Sequence, residues 1–273
     1  MKRIAAFLIF CIAVTAANAQ IEFYDKDISE TIKTTKLCAV MSGSESYQVQ
    51  LKDAVEQHWD YTATEFIDDA GFETRKADSD FSFLYLAEGE VNGHATDFLT
   101  LAIGNKKKSE QPLIVKQLIV DKKKISDEGA PMVHLYVKQI QQYIKAVSEG
   151  DITDRTFSDR VISDATYKVE EMPLIVREKD FDSTLDDEAS RTEWFKGKLI
   201  IADQQRINGA VLEEQDVAVV DVILTGSRHN MYCYKRIYDA ASGAVLYRED
   251  TESLHGKKQG IIQDDFKSIV KAR

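Results

Sequence analysis

The chain has 273 residues, 44% hydrophobic and 30% charged, with a formal net charge of −11. That balance fits a folded protein of one or two domains and excludes a disordered or low-complexity chain. The acidic excess is repelled by phosphate backbones, and no concentrated basic patch offsets it, which argues against nucleic acid as a partner.

The first residues follow the pattern of a secretory signal peptide. Lys2 and Arg3 form the basic start, residues 4–17 an apolar run, and Ala17-Asn18-Ala19 a small-x-small cleavage site. The apolar run is shorter than the ~20 residues that span a bilayer. Cys11 is preceded by the bulky Phe10 where lipidation wants a small residue. Cleavage after residue 19 would remove two basic and no acidic residues, taking the charge from −11 to −13. The expected mature chain therefore starts at residue 20, is exported to the periplasm or outer envelope of a bacterium, and keeps no transmembrane span.

Residues 20–36 are polar, with Ile21, Phe23 and Tyr24 suited to a brief strand. Residues 37–41 (LCAVM) read as a strand that Ser42-Gly43-Ser44 breaks. Tyr47, Leu51, Ala54, Val55 and His58 recur at helical spacing, which predicts an amphipathic helix over 47–59 capped by Ser44 or Ser46. TATEFID (62–68) is a second strand, and 69–79 leaves room for a short helix. Residues 80–104 read as two strands turning at Asn92-Gly93, a dipeptide that tolerates the positive φ of a tight hairpin. LIVKQLIVD (113–121) is another strand. Pro131 then precedes a helix with Tyr136, Ile140, Tyr143, Ile144 and Val147 on one face, ended by Gly150.

The second half runs in the same order. Residues 151–171 are a polar lead-in with a strand candidate at 160–162. LIVRE (174–178) is a strand after Pro173, 186–195 a weaker helix, KLIIAD (198–203) a strand, and 204–213 a short helix with Ile207 and Val211 inward. A second hairpin spans 216–239 with its turn at 226–228; AVLYRED (244–250) and a helix over 261–272 follow. The first strands begin at 37 and 174 and the hairpins at 80 and 216, so the spacing is nearly constant. PLIVKQ at Pro112 and PLIVRE at Pro173 offer a rival register, but the elements after them do not match. The reading is an α+β (α/β-like) protein of two similar modules, 20–150 and 151–273, each a mixed sheet with helices packed on it.

The segment KLIIADQQRINGAVLEEQDVAVVDVILTG (198–226), strand, short helix, strand, resembles the amino-terminal domain of TolB and related small envelope modules of anticodon-binding-like topology. The resemblance lies in element order. It implies a periplasmic binding or assembly module and not a catalyst.

The chemistry-bearing residues point the same way. Ser42-Gly43-Ser44 has neither dinucleotide nor Walker spacing and reads as a helix cap. His94 and Asp97, three apart on a strand, point to opposite faces, and with His229 they read as surface residues beside turns. Metal or nucleophile motifs such as H-E-x-x-H, C-x-x-C and G-x-S-x-G are missing from the sequence. Cys38 and Cys233, each in an apolar strand of a different half, read as buried thiols in preference to a disulfide. The acidic clusters at Asp68-Asp69, Asp186-Asp187-Glu188 and Glu213-Glu214 lack the turning glycine of a calcium loop. Lys106–Lys108 and Lys122–Lys124 read as solvated turns. Phe81, Phe83 and Tyr85 share one strand face, expected as core beneath helices. Trp59 and Tyr61, at the end of the first long helix, are the expected exposed aromatics and the candidate partner surface. No cofactor is expected.

Three functions compete. The first is an exported, non-enzymatic protein that binds another protein or a cell-envelope component. The second binds a small ligand between the halves, and would show a deep apolar cleft there. The third is a hydrolase with a composite site, which needs histidine, aspartate and a nucleophile within hydrogen-bonding reach.

Overall fold

The computed structural model describes residues 24–105, 111–227, 230–254 and 259–272. The expected signal peptide, Lys106–Lys108 and His229 lie outside the described residues.

The first described element is helix α1 (Lys26–Lys33); of the brief strand expected at Ile21, Phe23 and Tyr24, Ile21 and Phe23 lie outside the described residues. Asp25 explains the helix: its carboxylate accepts from the Asp27 and Ile28 N–H groups, satisfying donors the first turn would leave bare. Then come β1 (Lys36–Val40), α2 (Glu45–His58), β2 (Thr64–Ile67), α3 (Asp69–Arg75), β3 (Phe81–Val91), β4 (His94–Ile103) and β5 (Leu113–Val120). A single-turn α4 (Lys122–Ile125) and a 3-10 turn at Ala130–Met132 lead into α5 (Val133–Glu149), which Gly150 ends in the left-handed conformation at φ 85°. Ser44 is the cap of α2, accepting from the Tyr47 N–H at 3.2 Å. Asn92 and Gly93 adopt φ of 52° and 78°, a conformation that Asn tolerates, that Gly reaches freely for want of a Cβ, and that the hairpin requires.

The second module opens with α6 (Arg155–Ala165) and α7 (Lys168–Glu171). The strand expected at 160–162 is thus the middle of a helix, which Asp154 caps at the Phe157 N–H (2.8 Å). Next are β6 (Leu174–Val176), α8 (Glu188–Trp194), β7 (Leu199–Ile201), α9 (Gln204–Leu212), β8 (Ala218–Ser227), β9 (Asn230–Asp239), β10 (Val245–Leu254) and α10 (Gln263–Lys271).

The two sheets have one topology. The first is ordered β2-β1-β3-β4-β5 and the second, read in the same direction, β7-β6-β8-β9-β10. In each, the first strand is parallel to both its neighbours and the remaining pairs are antiparallel. Helical crossovers produce the parallel pairs and short turns the antiparallel ones. The fold is α+β, two similar modules of a mixed sheet and helices.

Helix α5 joins them. It is buried on nearly every side, with Val133, Tyr136, Val137, Ile140, Ile144 and Val147 inside and the polar His134, Lys138 and Gln141 buried with hydrogen-bond partners. It packs on α1, α2 and β5 in its own module and on α9 in the other. One apolar core therefore runs from Leu37, Leu51 and Leu99 through α5 to Ile175, Ile207, Val219 and Tyr238. A second core fills the far side of the second sheet around Leu174, Val220, Ile237 and Phe266. On the far side of the first sheet, Phe83 packs with Cys38, Val40, Ile67, Phe72 and Tyr85, so the aromatic face does sit in a core. Cys38 and Cys233 are free, buried, and in separate cores.

The two hairpins also meet, β4 lying against β8. Val91, Phe98 and Ile119 pack on Ile223 and Tyr234. His94, expected at the surface, is only 7% exposed, because the second hairpin covers it with the Tyr232 ring 6.4 Å away. Among the described residues no helix is long and apolar enough to cross a membrane.

Candidate functional site

The sequence places Asp221 in the middle of the apolar run VAVVDVIL, and there the carboxylate is fully buried. A lone buried carboxylate must be paired or protonated. It is paired from the other module: Lys124 Nζ lies 2.6 Å from Oδ1, and the Tyr136 hydroxyl donates to Oδ2 at 2.7 Å. Burial alone would push the Asp221 carboxyl up, but Lys124, the Tyr136 hydroxyl and Arg177 together hold it below the usual carboxylate range. Lys124 is 9% exposed and belongs to the triplet expected as a solvated turn. The single-turn helix α4, capped by Asp121, swings it inward to a partner 97 residues away. Beside this pair, Arg177 forks onto Asp180 (2.6 and 2.7 Å) and reaches Gln204 (2.6 Å). Gln204 bonds Asn208, whose amide donates to the Glu128 carbonyl of the first module at 2.6 Å.

A second polar chain crosses the same seam. His134 Nε2 hydrogen-bonds to Gln50 Oε1 (3.2 Å), and His134 Nδ1 hydrogen-bonds to His58 Nε2 (2.9 Å). His58 Nδ1 lies 3.7 Å from Glu214 Oε1. Glu214, in the turn between α9 and β8, is held by Lys138 Nζ at 2.7 Å. Desolvation, with neighbouring His58 and Lys138, pushes the His134 imidazole down to about 4; desolvation and Lys138 lower His58. Both rings are therefore neutral near pH 7 and act as hydrogen-bonding links between α2 and α5.

Trp59 and Tyr61 do not form the exposed patch expected of them. Trp59 is 6% exposed and its indole N–H donates to Thr62 at 2.9 Å. Tyr61 is half-buried and its hydroxyl donates to the Ser29 carbonyl of α1 at 3.1 Å. Gln141 of α5 accepts from the Asp60 and Tyr61 N–H groups, so the end of α2 is tied down between α1 and α5.

Two clefts open to solvent. A wide crevice of about 540 Å³ opens beyond the carboxyl ends of β6 and β7, lined there by Ile201 and Lys179 and on the first module's side by Glu128, with Arg177 already occupied by Asp180 and Gln204. A cleft of about 440 Å³ runs between α6 and β10, lined by Arg155, Asp159, Tyr232, Arg248, Glu249 and Asp250.

No family model, curated protein or solved structure matches this chain. Its chemistry is read from the side chains alone.

Cys38 has Arg75 as a polar neighbour (4.0 Å), and burial pushes its thiol up. Cys233 is pushed up to about 12 by burial in the second core. A nucleophilic cysteine needs the opposite shift. The two seam histidines hydrogen-bond to each other and to Gln50. Among the described residues, no group of three or more His, Cys, Asp or Glu side chains converges as a metal site. What the arrangement does is lock two modules together and leave clefts open to solvent. Asp221 was findable from its place inside an apolar run; Lys124, His58 and His134 carry no local mark of their partners.

Proposed function

We propose that this protein is an exported, non-enzymatic binding or assembly protein of the bacterial envelope, a rigid two-module body that presents outer surfaces to a protein or cell-wall partner. The observation that carries the reading is the seam. Helix α5 and the Asp221–Lys124–Tyr136 cluster fill the space between the modules with packed core and satisfied buried charge. A ligand seat between the halves would need that space, so the small-ligand alternative is the weaker of the two. The signal-peptide pattern of residues 1–19 supports export, and the likeness of element order to the amino-terminal domain of TolB supports an assembly role. Fold-level likeness ties only loosely to function, so the role must be tested by partner capture. Chemical crosslinking in intact cells, followed by purification of the protein, should yield one discrete higher-mass species containing a second envelope component. Recovery of the protein solely as a free monomer would contradict the role.

A further inference from the structure

β5 and β10 occupy the same position in two sheets of one topology, each the last strand on its side. Their chemistry differs. β5 reads LIVKQLIV, carries no acid, and is buried from Val115 to Val120. β10 reads VLYREDTESL, with Glu249 and Glu252 exposed. The β10 edge is tied to α6 at two points: the hydroxyl of Thr166, the cap of α6, donates to the Leu246 carbonyl at 2.8 Å, and Arg248 pairs with Asp159. Beyond these ties the cleft of about 440 Å³ opens along Glu249 and Asp250. An edge strand turns alternate N–H and C=O groups outward, a template for another strand.

The charges decide what fits. Asp159 is held by Arg155 and Arg248, and Asp250 by Arg236 at 2.5 Å. Among the described residues the Glu249 carboxylate has no hydrogen-bond or ion-pair partner, and desolvation together with Asp265 and Asp250 pushes it up. A second copy of the chain is a poor occupant. Antiparallel pairing of two β10 strands about their centre sets Glu249 against Asp250 of the other copy, and like charges directly opposite are destabilising.

We propose that the cleft between α6 and β10 is a docking site for an extended segment of another protein, which adds to the β10 edge as a strand and places a lysine or arginine against Glu249. Backbone hydrogen bonds supply the affinity and the carboxylate the selectivity. This deepens the binding role proposed above and rests on it.

The test uses the purified chain from residue 20 onward and three fluorescein-labelled nine-residue peptides: alternating lysine and valine, alternating glutamate and valine, and the lysine–valine peptide N-methylated at alternate residues. Fluorescence anisotropy should show saturable binding of the lysine–valine peptide only, with slowed amide exchange along β10. Glu249→Gln, whose exposed site leaves the urea midpoint unchanged, should weaken binding about tenfold, the worth of one hydrogen bond to a charged group. Absence of saturable binding would overturn the assignment. So would equal binding of the N-methylated peptide, which would mean charge attraction without strand addition, or indifference to Glu249→Gln. A partner captured in cells whose crosslinks lie away from β10 would also overturn it, while leaving the broader binding role intact.

Discussion

Lys124→Met is the sharpest probe of the seam. The substitution keeps most of the side chain's length and removes the ammonium that lies 2.6 Å from Asp221. Asp221 is fully buried and Lys124 nearly so, so the carboxylate left behind cannot be rescued by water. Breaking a buried pair from one side costs ~3–5 kcal/mol, because an uncompensated charge stays in a low-dielectric interior. At an m-value of about 2–3 kcal/mol per molar urea, the midpoint should fall by roughly 1–2 M. Removing the whole cluster should cost far less. In Lys124→Met/Tyr136→Phe/Asp221→Leu no buried polar atom of the cluster is left unpaired, and replacing a buried ion pair with apolar side chains is often neutral or stabilising. The pH dependence adds a signature. The Asp221 carboxyl is held low in the folded chain, so its contribution is complete above the unfolded value of about 3.9 and is lost as pH falls through the lower folded value. That acid-side loss should vanish in the triple variant. The assay is urea unfolding followed by circular dichroism at several pH values. A loss below about 1 kcal/mol for Lys124→Met would show that the pair is solvated and the reasoning wrong.

The other predictions concern histidine, tryptophan and cysteine. The folded His134 sits near pH 4 against about 6.5 unfolded, so the folded chain binds fewer protons and stability falls as pH drops from 6.5 toward 4, by ~3 kcal/mol at most; His134→Gln should flatten that slope in urea titrations at pH 7 and 5. In a Trp194→Phe background, the buried Trp59 should emit at short wavelength and resist acrylamide quenching, whereas emission like that of free tryptophan would restore it as a surface aromatic. Cys38 and Cys233 should react with a thiol reagent only after denaturation, since both are buried and burial raises both thiols.

The repeated module was legible because its signals are local. The strand pattern on either side of Asn92-Gly93, and its counterpart at 216–239, names the hairpins that both sheets are built on. Helix α6 was not, since Arg160-Val161-Ile162 looks like a strand until Asp154 is recognised as a cap. The seam was almost invisible. Lys124 sits in a triplet that resembles any solvated turn, and His58 looked like one more position on a helix face. His94 and Trp59 were misplaced for the same reason: the second hairpin, distant in the chain, covers His94, and Trp59 lies in the core that α2 shares with α1 and α5. Local patterning fixes elements, and the contacts between modules follow from tertiary packing that no short window contains.

The central claim is that this protein works by binding a partner on its outer surface. A photo-reactive amino acid placed at position 252 on β10, and in a parallel strain at position 49 on the exposed face of α2, tests it in intact cells. The account predicts a discrete crosslinked species from position 252 that position 49 does not give. Free protein from both positions, under conditions where each variant is folded and exported, would contradict it.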